Sequence, residues 1–200
     1  MEDVQPAQNA IYVAVTGHRS DKLGGWKTPN PLYDLVLQGL YDAFLKLQPS
    51  YVISGMALGV DQWAAELCVN MEIPFVAAIP FEGQEKVWPP HSKAKYHWLM
   101  SRAAHRYVIC EGGYESWKMQ KRNEWMVNSC HQLVAVWNGS SGGTQNCVGY
   151  AMEVGKPIHY VPLPPAGMEV GEFFQKTYGT AEHKNAPAPL TSMGKRVVEI

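Results

Sequence analysis

Short apolar runs alternate along the chain with stretches in which apolar residues recur every three or four positions. Ile11 to Val15 is β-branched and apolar and stops at Thr16-Gly17, which predicts a buried strand. After a Gly- and Pro-bearing loop from Gly17 to Pro31, Leu32, Leu35, Val36, Leu40, Phe44 and Leu47 fall at helical spacing, and Pro49 closes the segment. The rhythm then repeats. Strands are predicted at Tyr51 to Ile53, Phe75 to Ile79, Tyr107 to Cys110, Leu133 to Trp137 and Ile158 to Val161. Helices are predicted at Val60 to Asn70, Lys93 to Ala104, Lys118 to Asn128 and Gln145 to Val154, with a long Pro-rich loop from Pro80 to about Ser92. Short fully apolar strands that alternate with helices imply βαβ crossovers and a sheet covered on both faces. The expected fold is a Rossmann-like, doubly wound α/β domain with a mainly parallel sheet. Residues 1–10 read as a polar lead-in and 11–161 as the domain. Residues 162–200 read as a Pro- and Gly-rich tail, in which Phe173, Phe174 and Tyr178 suit one docked helical turn.

Composition narrows the class. The 200 residues are 46% hydrophobic and 18% charged, which is globular rather than disordered. Seventeen Lys and Arg balance 18 Asp and Glu, which argues against a nucleic-acid or anionic-lipid partner held by bulk charge. No run approaches the roughly 18 apolar residues of a membrane span, and the first apolar run is too short for a signal peptide. Cys68, Cys110, Cys130 and Cys147 are widely spaced with no CxxC pair, so reduced thiols and a cytoplasmic location are expected. Neither the cysteines nor the histidines show ligand spacing, and no metal or cofactor is expected. No GxSxG elbow is present, and Cys147 has no assigned base.

In open α/β sheets ligands bind at the carboxyl ends of the strands, so the residues just after each strand carry the chemistry. Gly142-Gly143-Thr144 enters a helix, where free N–H groups and the helix dipole favour a phosphate; a glycine loop with a Thr cap is the plain alternative. Ser54-Gly55-Met56-Ala57-Leu58-Gly59-Val60-Asp61 makes the same turn, with Asp61 suited to a ribose hydroxyl or to a cap. Thr16-Gly17-His18-Arg19 offers an Arg fork for phosphate and a His for proton transfer or stacking. Arg122 and Asn123, with Met126, sit on the helix before the fifth strand, where Arg122 either completes a phosphate clamp or is solvated. Trp26, Trp88 and Trp117 lie in loops where a base can stack; Trp63, Trp125 and Trp137 are expected in the core.

Several blocks together resemble one family. They are Val15 to Arg19 with Lys22-Leu23-Gly24-Gly25, Ile53 to Glu66, and Ala78 to Phe81 with Gln84 and Trp88. Arg122-Asn123 with Met126-Val127, and Ala135 through Thr144, complete the set. In this order they are similar to the YpsA-like proteins of bacteria and phages, within the SLOG superfamily of Rossmann-like domains. The resemblance covers residues 11–161 and implies a nucleotide or nucleotide-derived ligand at the strand ends, with a homodimer as the implied oligomer.

Three functions follow from it. The first is binding of a small phosphorylated nucleoside derivative, such as a nucleotide or an ADP-ribose-like molecule. Gly142, Gly143, Thr144 and Arg122 would take phosphate, Ser54 to Asp61 and Asn146 the sugar, and Trp26, Trp88 or His18 the base. The second is a nucleoside 5′-monophosphate N-glycosidase, since Arg122 matches the arginine of the related LOG enzymes. Their glutamate falls here at Asn146 or Cys147, so Asp61, Glu82 or Glu85 would have to supply the acid. The third is a single-stranded DNA module like DprA, which carries a block close to Ser54 to Asp61. The basic residues available for it are Lys93, Lys95, Arg102 and Arg106, with Lys118, Lys121 and Arg122.

Overall fold

The computed structural model describes residues 9–179. Six strands form one sheet: β1 (Tyr12–Gly17), β2 (Tyr51–Ser54), β3 (Phe75–Ile79), β4 (His105–Val108), β5 (Gln132–Val136) and β6 (Ile158–Val161). Their order is β4-β3-β2-β1-β5-β6, and every pairing is parallel. The chain winds outward from β1 to β4, then returns past β1 to add β5 and β6 on its other side. The order therefore reverses between β1 and β5, where such sheets open a crevice at the carboxyl ends.

Alternation along the strands builds two cores. Val13 and Val15 of β1, Phe75, Ala77 and Ile79 of β3, and Val134 and Val136 of β5 point to one face. There they meet α1 (Pro31–Leu47), α2 (Val60–Asn70) and α3 (Pro90–Met100) through Leu40, Phe44, Trp63, Leu67 and Leu99. The intervening Ala14, Val76, Ala78, Leu133 and Ala135 point the other way, against α4 (Ser116–Ser129) and α5 (Gly143–Glu153) through Met126, Val127, Cys147 and Val148. With side chains repeating every two residues, only a strand buried on both faces reads as an unbroken apolar run.

Helix starts follow local chemistry. Asn30 caps α1 by accepting from the Tyr33 amide at 3.0 Å, with Pro31 in the first turn. Pro90 likewise sits in the first turn of α3, which has no side-chain cap; this helix begins three residues earlier than its apolar spacing predicts and ends at Met100 instead of Ala104. The following strand moves with it: β4 spans His105–Val108 rather than Tyr107 to Cys110, because its register is set by pairing of Val76 with His105 on β3. Beyond β6, α6 (Val170–Tyr178) runs for nine residues and packs on α1, with Phe174 buried. Residues 180–200 of the expected tail lie outside the described residues.

At the amino edge of the sheet a cavity of about 350 Å³ opens between Tyr12, His105, Tyr107, Trp125 and His131. Trp125 is half-buried in its wall, 5.2 Å from the Tyr107 ring centroid, rather than sealed in the core. Trp137 is also half-buried, and its indole donates to the Ser140 carbonyl at 2.7 Å. Among the described residues no helix is long and apolar enough to cross a membrane.

Leu133 is fully buried at the centre of the second core. Leu133→Ala is expected to cost about 2–5 kcal/mol, read from the urea midpoint at unchanged slope.

Candidate functional site

A cavity of about 310 Å³ opens at the carboxyl ends of β1 and β5, at the reversal of strand order. The end of β1 and the loop after it contribute Thr16, Gly17, His18, Arg19, Asp21 and Lys22, and the turn after β2 and the start of α2 contribute Ala57 and Asp61. Met119, Arg122 and Asn123 of α4 form one wall, and Ser141 to Thr144 at the start of α5 form another. Ten of the residues singled out in the sequence meet here: Thr16, Gly17, His18, Arg19, Asp61, Arg122, Asn123, Gly142, Gly143 and Thr144.

Arg122 is the centre of the wall. Although almost fully buried, it donates through Nη1 to the Gly55 carbonyl and, at 3.4 Å, to Asp61 Oδ2, and through Nε to Asn123 Oδ1 at 3.1 Å. Nη2 takes part in none of these bonds. Asn123 in turn donates to the Gly143 carbonyl at 3.3 Å, which ties α4 to the start of α5. Asp61 receives the Ala57 amide at 3.3 Å on the same Oδ2, so Oδ1 is left out of its hydrogen bonds. Burial pushes the Asp61 carboxyl up, while Arg122 and Arg19 pull it back. A Cβ at Gly55 would overlap the guanidinium and the carboxylate, so only glycine leaves room for this clamp.

The opposite wall is electropositive. Arg19 and Lys22 are exposed at the rim. The Lys22 ammonium donates to the Ser141 carbonyl at 3.0 Å and to Ser140 Oγ at 3.3 Å, which joins the β1 loop to the β5 loop. The N-cap of α5 is Gly142, at φ 135°, and no side chain caps the helix. Its first amides are free to meet an anion. His18 is held by its ring Nε2, 2.7 Å from Asn138 Oδ1. Burial lowers its pKa, aided by Lys22 and opposed by the Asn138 bond.

Other expected residues lie elsewhere for identifiable reasons. Ser54 is sealed, its hydroxyl donating to the Asp61 carbonyl at 2.7 Å and accepting from the Met56 amide, so it shapes the turn rather than facing the cavity. Met56 is likewise buried, at φ 58°, and its carbonyl accepts from Gln62. Gly55 and Gly59 shape the wall without lining it; a Cβ at Gly59 would lie 2.6 Å from the His18 carbonyl. Asn146 is exposed, because Thr144, Cys147, Val148 and Ala151 take the inward face of α5. Glu82, Gln84 and Trp88 follow β3, two strands from the reversal point, and none lines the cavity. Gln84 is buried beside the Tyr96 hydroxyl, and Trp88 packs edge-on against Tyr96 with centroids 5.5 Å apart. Trp26 is 58% exposed and also outside the lining. Asp21, Lys22, Ala57, Met119 and Ser141 complete the wall without having been singled out as contacts. The signal for Met119 is its place one helical turn before Arg122.

A family model described as the YspA SLOG family matches residues 13–159. The chain belongs to this SLOG family. One relative is an uncharacterized SPbeta prophage-derived protein, YoqJ, of Bacillus subtilis, 34% identical over 60% of this chain and 80% of its own length. Among solved structures, DNA processing protein A from Helicobacter pylori, described by its single-stranded DNA binding mode, overlays with a TM-score of 0.58 at 17% identity. That overlay covers 84% of this chain and 72% of the other. The homologous protein from Streptococcus pneumoniae gives 0.55 at 18% identity, where the chain spans 57% of its length. At these identities the likeness is one of fold, and it agrees with the parallel sheet of this SLOG chain.

Gly55→Ala is expected to unseat Arg122 and Asp61 together and lower the unfolding midpoint, whereas the exposed mid-helix Gly149→Ala is expected to leave it unchanged or raise it, measured by thermal melting of both variants. For His18, a pKa below its unfolded value of 6.5 means that the unfolded chain binds more protons, so stability falls as pH drops through that value. His18→Gln is expected to flatten this slope in urea titrations between about pH 7 and pH 5.

Proposed function

We propose that the cavity binds a small phosphorylated nucleoside derivative, a nucleotide or an ADP-ribose-like molecule, in a cytoplasmic protein. The observation that carries this reading is the convergence of Arg19, Lys22 and Arg122 with the uncapped start of α5 on one cavity at the sheet's switch point. Backbone amides at a helix start and charged donors together match a phosphate. Asp21 and Asp61 supply acceptors for hydroxyls in the same space. The basic strip considered for DNA is partly engaged elsewhere: Lys95 pairs with Glu66 at 2.5 Å, and Arg102 lies 4.0 Å over the Trp98 ring. That engagement favours the small ligand over a nucleic-acid strand.

A second reading, cleavage of the N-glycosidic bond of a nucleoside monophosphate, is favoured by one observation: the Asp61 carboxylate and the Arg122 guanidinium share the cavity. Asp61 is then the acid of interest, since Glu82 is exposed and outside the lining.

Isothermal titration with AMP and ADP-ribose is expected to give saturable binding that Lys22→Met weakens by about tenfold, the scale of one charge-assisted hydrogen bond. No heat with either ligand overturns the binding reading. Release of free adenine from AMP, lost in Asp61→Asn, would establish the second.

A further inference from the structure

Among the described residues that line it, the cavity carries phosphate and sugar chemistry and little aromatic surface for a base. Among its lining residues the one ring is His18, which is 3% exposed and fixed to Asn138. The rings expected to stack on a base are elsewhere, with Trp88 packed on Tyr96 and Trp26 outside the lining. A common device for holding a base is an aromatic or guanidinium face laid against the ring. Arg122 does not offer that face, because Gly55, Asp61 and Asn123 hold its edge along one wall, and Arg19, exposed at the rim, is assigned to the phosphate.

Two of the lining residues, Arg122 and Asp61, carry a donor and an acceptor that the clamp leaves over. Their side chains are joined through Nη1 and Oδ2, and Arg122 Nη2 and Asp61 Oδ1 take part in none of the bonds of that clamp. A pair of neighbouring sugar hydroxyls is complementary to them, one donating to Oδ1 and one accepting from Nη2. Lys22, Arg19 and the start of α5 then lie at the rim for the phosphate. We infer that the site recognises a sugar phosphate, reading vicinal hydroxyls with Asp61 and Arg122 and phosphate with the rim, and is indifferent to any base attached. The inference rests on the phosphate-binding reading above and narrows its ligand class.

Isothermal titration of the full chain with AMP, GMP, CMP, UMP, ribose 5-phosphate and adenosine tests it. The four nucleotides are expected to bind within about threefold of one another, ribose 5-phosphate within about tenfold of AMP, and adenosine at least about a hundredfold more weakly. Trp26→Ala is expected to leave all of these affinities unchanged. A preference of more than about tenfold for one base overturns base indifference while leaving phosphate binding standing. So does a Trp26→Ala loss confined to the nucleotides. Absence of binding by every phosphorylated compound overturns the inference and the reading beneath it together.

Discussion

A guanidinium buried inside a protein must find hydrogen-bonding partners, and the carboxyl-edge site is organised around meeting that demand for Arg122. Stripping water from such an ion costs several kcal/mol, and removing one partner of a buried pair costs about 3–5 kcal/mol. The partners come from different elements: Gly55 from the turn after β2, Asp61 from the first turn of α2, and Asn123 from α4 itself. Asn123 passes the constraint on to Gly143. One charge thus sets the relative positions of the β2 turn, α4 and the start of α5, which are three of the four walls of the cavity.

The fourth wall is held differently. Lys22 reaches from the β1 loop to the Ser140 hydroxyl and the Ser141 carbonyl across the rim, in solvent, where such bonds are weaker and more sensitive to salt. The site therefore combines a buried, hydrogen-bonded interior with an exposed, charged rim. On the phosphate-binding reading proposed above, an anion at the rim would compete with weak bonds, whereas groups already held in place in the interior would cost little reorganisation on binding.

The placement of that site was legible in the sequence because strand ends are legible. Apolar runs such as Ile11 to Val15 and Leu133 to Trp137 mark strands, and the residues that follow them, Thr16 to Arg19 and Gly142 to Thr144, are therefore at one edge. Arg122 and Asn123 were legible as a pair on a helix. Which strand ends are adjacent was not legible. Glu82, Gln84 and Trp88 follow a strand as plainly as Arg19 does, but β3 lies two places from the reversal point, and nothing local to their sequence records the strand order. The misplaced α3 and β4 boundaries have a similar origin, since a parallel register is decided by the neighbouring strand.

Local pattern by itself determined the α/β class, the number and sequence of strands, the two-faced core and the set of polar groups gathered at one edge. These depend on periodicities of about 2 and 3.6 residues, which a chain displays whatever its surroundings. Tertiary structure decided the use of each group. Ser54 became a turn brace and Asn146 an outward residue, Trp125 lines a cavity at the far edge, and Arg122 became a clamp with one free nitrogen. A side chain's role depends on which neighbours compete for its hydrogen bonds, and those neighbours are up to 120 residues away along the chain.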